Sequence, residues 1–169
     1  MTAKSHAASL MAAAAIAALA GSAMAQDAAA PQEEILTDGS APAPTGPQWR
    51  AFSRSSNSVF LVDIGSLTEN GDEAGIKIAR VPLTAPAGDY SHVVDDFAAR
   101  CGSGQTHLTA STDALEDGEL TDAFPVDEPW SPAQPGSFDD AIKQFACDDM
   151  QPAGDPFPSI RAYIDAGRP

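Results

Sequence analysis

The chain has 169 residues, with 9 basic and 24 acidic side chains and a formal net charge of −15 at pH 7. So strong a negative charge repels nucleic acid and anionic membrane surfaces, and the sequence has no basic stripe of the kind that nucleic-acid binding needs. The composition therefore excludes a nucleic-acid partner. The length leaves room for one small folded domain and not for two.

The first 25 residues have the pattern of a secretory signal peptide. Lys4 provides a positive charge, residues 7–20 are apolar but too short to cross a bilayer, and residues 23–25 (Ala-Met-Ala) match a small-x-small cleavage site. We expect cleavage before Gln26, and an uncleaved membrane anchor is the alternative. No later stretch is apolar for long enough to span a membrane. The chain is therefore predicted to be exported, to the periplasm or to the cell surface, or secreted.

Composition divides the rest of the chain into three segments. Residues 26–48 are rich in Ala, Pro, Gly and acidic side chains and contain a single pair of large apolar residues, which predicts a disordered spacer. Residues 49–150 have the composition of a folded domain. Residues 151–169 form a proline-rich tail. Within the tail a short helix is predicted at residues 159–166, because Ile160, Tyr163 and Ile164 would share a face.

Alternation of apolar and polar residues predicts β-strands through most of the folded domain. The connections have hairpin length and Asn70-Gly71 is a strong turn signal, so neighbouring strands are expected to be antiparallel. In the fourth strand Val93 and Phe97 would face the same side of the sheet, with Asp95 interrupting that face. The predicted strands are residues 49–52, 58–63, 76–83, 90–101 and 105–112, with a weaker one at 119–124.

A helix is predicted to begin after Ser137, which is a good N-cap residue. Asp139 and Asp140 place negative charge on the first turn, where the helix dipole favours it. An apolar stripe with helical spacing follows, formed by Phe138, Ala141, Ile142, Phe145 and Ala146. The predicted fold class is therefore α+β: an antiparallel sheet of about five to six strands with one C-terminal helix packed on it, in two layers.

The chain has two cysteines, Cys101 at the end of the fourth predicted strand and Cys147 at the end of the predicted helix. An even number of cysteines in an oxidising compartment favours a disulfide between them. An intermolecular disulfide and two free thiols are the alternatives. On an ideal helix Cys147 points away from the apolar stripe, so we expect the helix to unwind near Ala146 to let the two sulfurs meet.

The order of several short motifs resembles that of a known family. Trp49 opens the domain, the segment "DIGSL" at residues 63–67 follows a strand, and a strand ending in Cys101 comes next. Later come Trp130, the Pro-Gly-Ser corner at residues 135–137, and a short helix that ends in Cys147. Over residues 49–148 the chain resembles the bacterial surface-adhesin protein E family.

The resemblance implies an antiparallel sheet joined to a C-terminal helix by a disulfide. It also implies a non-catalytic domain whose founding members are adhesins for host matrix and plasma proteins such as vitronectin, laminin and plasminogen. The expected function is therefore an exported binding module with a protein partner, either a host matrix protein or an envelope protein. An exposed sheet edge would also allow a homodimer by strand addition.

Two rival functions remain open. His92 and His107, on adjacent predicted strands, could join Asp95 or Asp96 in a metal site or in the acid–base set of a hydrolase. A structural role in the bacterial envelope is the other. The sequence has no serine elbow of the G-x-S-x-G type and no calcium-loop motif, and paired cysteines would not act as nucleophiles. We therefore expect no catalysis and no cofactor or metal.

Overall fold

The computed structural model describes residues 45–169. The predicted signal peptide and most of the predicted spacer, residues 1–44, lie outside the described residues. Five long strands, two short strands and two helices follow one another along the chain. They are β1 (Trp49–Arg54), β2 (Ser58–Asn70), β3 (Glu73–Pro82), β4 (His92–Arg100), β5 (Gln105–Ala114), β6 (Phe124–Pro125), β7 (Ser131–Pro132), α1 (Phe138–Cys147) and α2 (Ile160–Asp165).

The strands form one antiparallel sheet in the order β1-β2-β3-β4-β5-β6, and β7 pairs separately with β5. Each long strand lies beside the next one in sequence, joined by connections of two to four residues except for residues 83–91, which form a longer loop between β3 and β4. Gly71 provides the positive φ of 65° that the turn between β2 and β3 requires. The expected antiparallel sheet with a C-terminal helix is confirmed, and the predicted turn at Asn70-Gly71 joins β2 to β3.

Helix α1 packs on one face of the sheet and closes the first part of the core. The Ser137 side chain accepts a hydrogen bond from Asp140 N at 3.1 Å, so the predicted N-cap is present. The hydroxyl of buried Thr106 on β5 donates to Asp139 at 2.7 Å and fixes the start of the helix on the sheet. The buried residues of this face are Val62, Ala74, Ile76, Ile78, Ala99, Ile142, Phe145 and Ala146.

Helix α2 packs on the opposite face and closes the second part of the core. It forms where the sequence predicts a short helix, with Ser159 as N-cap and Gly167 just beyond its end. The sequence predicts a helix on one face only, whereas the structure has a helix on each. Trp49 and Phe157 exchange backbone hydrogen bonds of 3.0 and 2.8 Å, which joins the tail to the first strand. The buried residues are Trp49, Val59, Leu61, Ala79, Val81, Val94, Ile160, Tyr163 and Ile164.

A disulfide joins Cys101 to Cys147, with the two Cα atoms 5.5 Å apart. The expected unwinding near Ala146 is wrong, because α1 remains helical through Cys147. The reason is the position of Cys101. It is exposed, in the turn just beyond β4 and not under the helix, so the turn meets the flank of α1 without distorting it.

A β-bulge explains how the polar side chain of Asp95 is accommodated on the otherwise apolar face of β4. Asp96 pairs with Ala110 and Phe97 with Leu108, so Thr109 is an extra residue on β5. Beyond this bulge Asp95 lies opposite Ser111, whose hydroxyl donates to the Asp95 carboxylate at 2.6 Å. Ser111 is buried, and the carboxylate satisfies it. Asp95 is therefore part of the structure of the face that α1 covers.

Candidate binding cavity

A cavity of about 580 Å³ lies on the face of the sheet that α2 covers. It is bounded by the sheet, by the start of α2 and by the chain that leads into β1. Most of its lining is apolar, provided mainly by Trp49, Tyr90, Val94, Leu120, Pro158 and Ile160. A cavity of this size and character is typical of sites for small organic molecules or for one large side chain of a partner.

The wall next to β1 is held in place by Asp63, which is only 4% exposed. Its Oδ1 atom accepts hydrogen bonds from Gln48 N at 2.6 Å and from Gly65 N at 3.0 Å. A Cβ atom on Gly65 would lie 2.2 Å from the carbonyl oxygen of Gly46, so no larger residue fits there. The Asp-Ile-Gly motif therefore joins the chain before β1 to the middle of β2.

The next residue of the same motif extends this wall to β3. The Ser66 hydroxyl donates to the carbonyl of Asp63 at 2.7 Å and accepts from Lys77 N at 3.0 Å. Ordinary pairing between β2 and β3 is interrupted between Asp63 and Thr68, and Ser66 bridges the gap. The hydroxyl thus has a structural role in the wall and is committed to two backbone partners.

His92 lines the cavity and is 9% exposed. Strand alternation places its side chain on the same face of the sheet as buried Val94. Its Nδ1 atom is 2.7 Å from the carbonyl oxygen of Tyr90, which can only accept, so Nδ1 carries the proton. Burial lowers the pKa of His92, and the bond to Tyr90 offsets part of that effect. At neutral pH the ring is therefore uncharged, with Nε2 available as an acceptor.

The mouth of the cavity is fixed by contacts between Tyr90 and α2. The guanidinium carbon of Arg161 lies 3.7 Å from the centre of the Tyr90 ring, a cation–π geometry, and the guanidinium also donates to the carbonyl of Asp117. The Tyr90 hydroxyl donates to Asp165 at 2.8 Å. Since Arg161 and Asp165 are at opposite ends of α2, these contacts hold the whole helix against the cavity.

The structure separates the residues of the predicted metal or acid–base set. His92 pairs in register with Ala114, whereas His107 pairs with Ala98, six residues further along β4. That offset corresponds to about 20 Å. His107 instead stacks against Trp130, with ring centres 5.2 Å apart. The two histidines cannot share a metal ion or a proton-transfer step.

The two aspartates of that set also have other partners. Asp95 lies on the α1 side of the sheet with Ser111, and Asp96 forms an ion pair with Lys77. Across residues 45–169, no group of three or more His, Cys, Asp or Glu side chains is placed to hold a metal ion. Of the whole set, His92 alone lines the cavity.

Sequence reasoning did not find the cavity, because its residues come from distant parts of the chain. Asp63, Tyr90 and Arg161 are brought together only by strand pairing and by the docking of α2. The signal that could have been used is "DIGSL", in which a buried aspartate two residues before a glycine indicates a tight backbone junction.

No family model, no curated protein and no solved structure matches this chain. The resemblance to the surface-adhesin protein E family therefore stays a prediction. Within residues 45–169, neither helix is long and apolar enough to cross a membrane. What the protein does must be argued from the cavity itself.

Proposed function

We propose that the protein is an exported, non-catalytic binding module and that the cavity is its recognition site. The observation that supports this function is the cavity of about 580 Å³, which is mainly apolar and stays open between the sheet and α2. The partner is a protein of the host matrix or of the envelope, as the resemblance to surface-adhesin protein E implies. It would insert an apolar group past Leu120, which is 57% exposed.

The polar groups of the cavity favour binding over catalysis. Asp63 is committed to two backbone N–H groups and Lys77 to Asp96, so neither is poised to move a proton. The Ser66 hydroxyl has two backbone partners and is not activated by a neighbouring base. Together these groups shape and hold a cavity, and this arrangement supports a role in recognition.

Two exposed leucines provide a matched test of this function. Leu120 lines the cavity, whereas Leu115, which is 51% exposed in the same turn region, does not. The uncharged fluorescent probe N-phenyl-1-naphthylamine should bind the purified chain saturably with one site. Leu120→Ala should weaken its binding about threefold to tenfold, since part of the apolar contact is lost. Leu115→Ala should leave the affinity unchanged.

Other results would contradict the proposed function. Absence of saturable probe binding, or equal weakening by both leucine variants, would remove the cavity as the recognition site. Steady hydrolase or metal-dependent turnover by the purified chain would show that the protein is a catalyst. Circular dichroism of both variants, compared with the unchanged chain, confirms that the fold is intact in each measurement.

A further inference from the structure

The lining of the cavity includes one histidine, His92, with a ring nitrogen that the protein leaves free to accept a hydrogen bond. His92 is 9% exposed, and across the described residues its ring makes one hydrogen bond, from Nδ1 to the carbonyl of Tyr90. Within residues 45–169 the second ring nitrogen, Nε2, has no hydrogen-bond donor from the protein, so in the open cavity water is its partner. A bound molecule that excludes this water must donate a hydrogen bond in its place, because an acceptor left unpaired in an apolar site costs free energy. The cavity therefore favours an occupant that carries a donor.

The charged groups around the cavity are already satisfied by the protein. Asp63 accepts two backbone hydrogen bonds, Lys77 is paired with Asp96, and Arg161 stacks on Tyr90 while donating to a backbone carbonyl. An anion would have to compete with Asp96 for Lys77. A cation would have to displace the N–H groups that hold Asp63. Both changes would disturb the wall, so the arrangement favours an uncharged occupant.

We propose that the cavity binds an uncharged, mainly apolar group that carries one N–H or O–H, and that this group donates a hydrogen bond to Nε2 of His92. This inference rests on the proposed function and specifies the chemistry of what is bound. The same chemistry is found in a free indole or phenol and in the Trp or Tyr side chain of a protein partner. In both sources the ring fills the apolar space and the donor reaches the histidine.

Protonation of His92 would abolish this recognition, because imidazolium has no acceptor left. The causes that set its pKa are burial, which lowers it, and the Tyr90 carbonyl, which raises it. The other charged groups of the lining are Asp63 on β2, Lys77 on β3 and Arg161 on α2. Binding that depends on the donor should therefore be present at neutral pH and decline at acidic pH.

Indole and its sulfur isostere benzothiophene provide the decisive comparison, since they have similar shapes and only indole has an N–H. Calorimetric titration of the purified chain at pH 7.5 should show indole binding about threefold to tenfold more tightly. His92→Asn keeps a donor near the position of Nδ1 but removes Nε2, so the preference should disappear. His107→Asn, at the histidine outside the cavity, should retain it.

Further probes test whether the bound group comes from a free small molecule or from a protein partner, and whether it is charged. A blocked Gly-Trp-Gly peptide tests the side-chain source, and binding of this peptide as tight as that of indole assigns the site to a protein partner. Tighter binding of indole-3-acetate or of tryptamine than of indole would overturn the uncharged assignment. Equal binding of indole and benzothiophene would overturn the role of His92 and leave the proposed function intact. If no probe binds, both the role of His92 and the proposed function are contradicted.

If His92→Asn does not fold, the unchanged chain provides the test. The preference for indole over benzothiophene should shrink across the pH range in which His92 of the folded chain takes up its proton, which NMR of the ring protons locates, while benzothiophene binding stays constant. A preference that does not change across that titration would contradict a hydrogen bond to the neutral histidine.

Discussion

Asp63 illustrates how a single buried side chain can organise a cavity wall. Its carboxylate is 4% exposed and accepts from Gln48 N and Gly65 N, which belong to segments on either side of it in sequence. A carboxylate that accepts several backbone hydrogen bonds is well satisfied even when it is removed from water. Its position is therefore fixed by the backbone, and the chain before β1 becomes part of the folded structure.

His92 gives a prediction for the pH dependence of stability. Burial holds its pKa below the ordinary value of 6.5, so the unfolded chain takes up the proton at higher pH than the folded one. The contribution of His92 is therefore complete above about pH 6.5 and is lost as the pH falls through the lower, folded pKa. Urea unfolding between pH 7.5 and 5 should show a decline that is smaller in His92→Asn.

His107→Asn is the control for that measurement. His107 stacks on Trp130, outside the cavity, so this variant shows how the loss of a histidine elsewhere in the sheet changes the decline. Carboxylates that titrate at lower pH contribute equally in both variants, and the difference between the two curves isolates His92. An identical decline in the unchanged chain and in His92→Asn would contradict the prediction.

The role of His92 at the residue level was not predictable from sequence. Its single hydrogen bond is to a backbone carbonyl, and backbone carbonyls leave no mark in the sequence. The disulfide was predictable, because two cysteines in one chain allow a single intramolecular pair. Residue types therefore indicate covalent partners better than they indicate hydrogen-bond partners.

Among the secondary-structure elements, α2 depends most on its surroundings. It has six residues, which is too few for a helix to persist alone in water. Tyr163 is fully buried, and Ile160 and Ile164 are nearly so, hence packing provides most of its stability. In return α2 covers one face of the sheet and forms one side of the cavity. The helix and the sheet face stabilise each other.

Ending the chain at Met150 tests this mutual dependence. The truncation removes Ile160, Tyr163 and Ile164 from the core, and each such loss costs about 2–5 kcal/mol. Because small domains have about 5–15 kcal/mol in total, the truncated chain should lose cooperative unfolding. Thermal unfolding followed by near-ultraviolet circular dichroism measures the loss.

A chain that ends at Ala166 is the matched control, because it keeps all of α2. It loses the side-chain hydrogen bonds that residues 168–169 make with Arg54, Asp89 and Tyr163, each of which contributes about 1 kcal/mol, but it keeps the three buried side chains of α2 in the core. Cooperative unfolding of the shorter chain, with a midpoint close to that of the control, would show that α2 does not stabilise the core.

Sequence patterns located both helices and all five long strands, since N-caps, apolar stripes and turn residues are local signals. They did not assign α2 to its own face of the sheet. Ile160 and Tyr163 pack on the sheet face that carries Val59, Leu61, Ala79 and Val81. Which strand residues lie on that face is set by the register of strand pairing, which the local sequence does not show. The bulge at Thr109 shifts the register within β5 and has no distinct sequence signal.

At the scale of the whole molecule, the two helices are attached in different ways. The disulfide links α1 to the turn after β4 across 46 residues of sequence, whereas α2 is held by packing and hydrogen bonds. A covalent link that closes a loop of this length restricts the unfolded chain more than the folded one. The disulfide therefore stabilises the folded domain as a whole, although it lies on the α1 side.

Replacing both cysteines by serine should lower the free energy of unfolding by about 4 kcal/mol, the value that chain entropy predicts for a loop of this length. The unchanged chain under reducing conditions should show a similar loss in urea unfolding at pH 7. Affinity for N-phenyl-1-naphthylamine should persist below the unfolding transition, because the cavity is on the α2 side. A loss below about 1 kcal/mol would contradict the predicted contribution.

The placement of both covering helices after the last strand affects how the chain matures during synthesis. All five long strands leave the ribosome before residues 138–165, so their apolar side chains have no helix over them until those residues have followed. Self-association is the characteristic hazard of this interval. A factor that shields extended apolar segments would suppress this hazard, and its release would be timed by the arrival of residues 138–165.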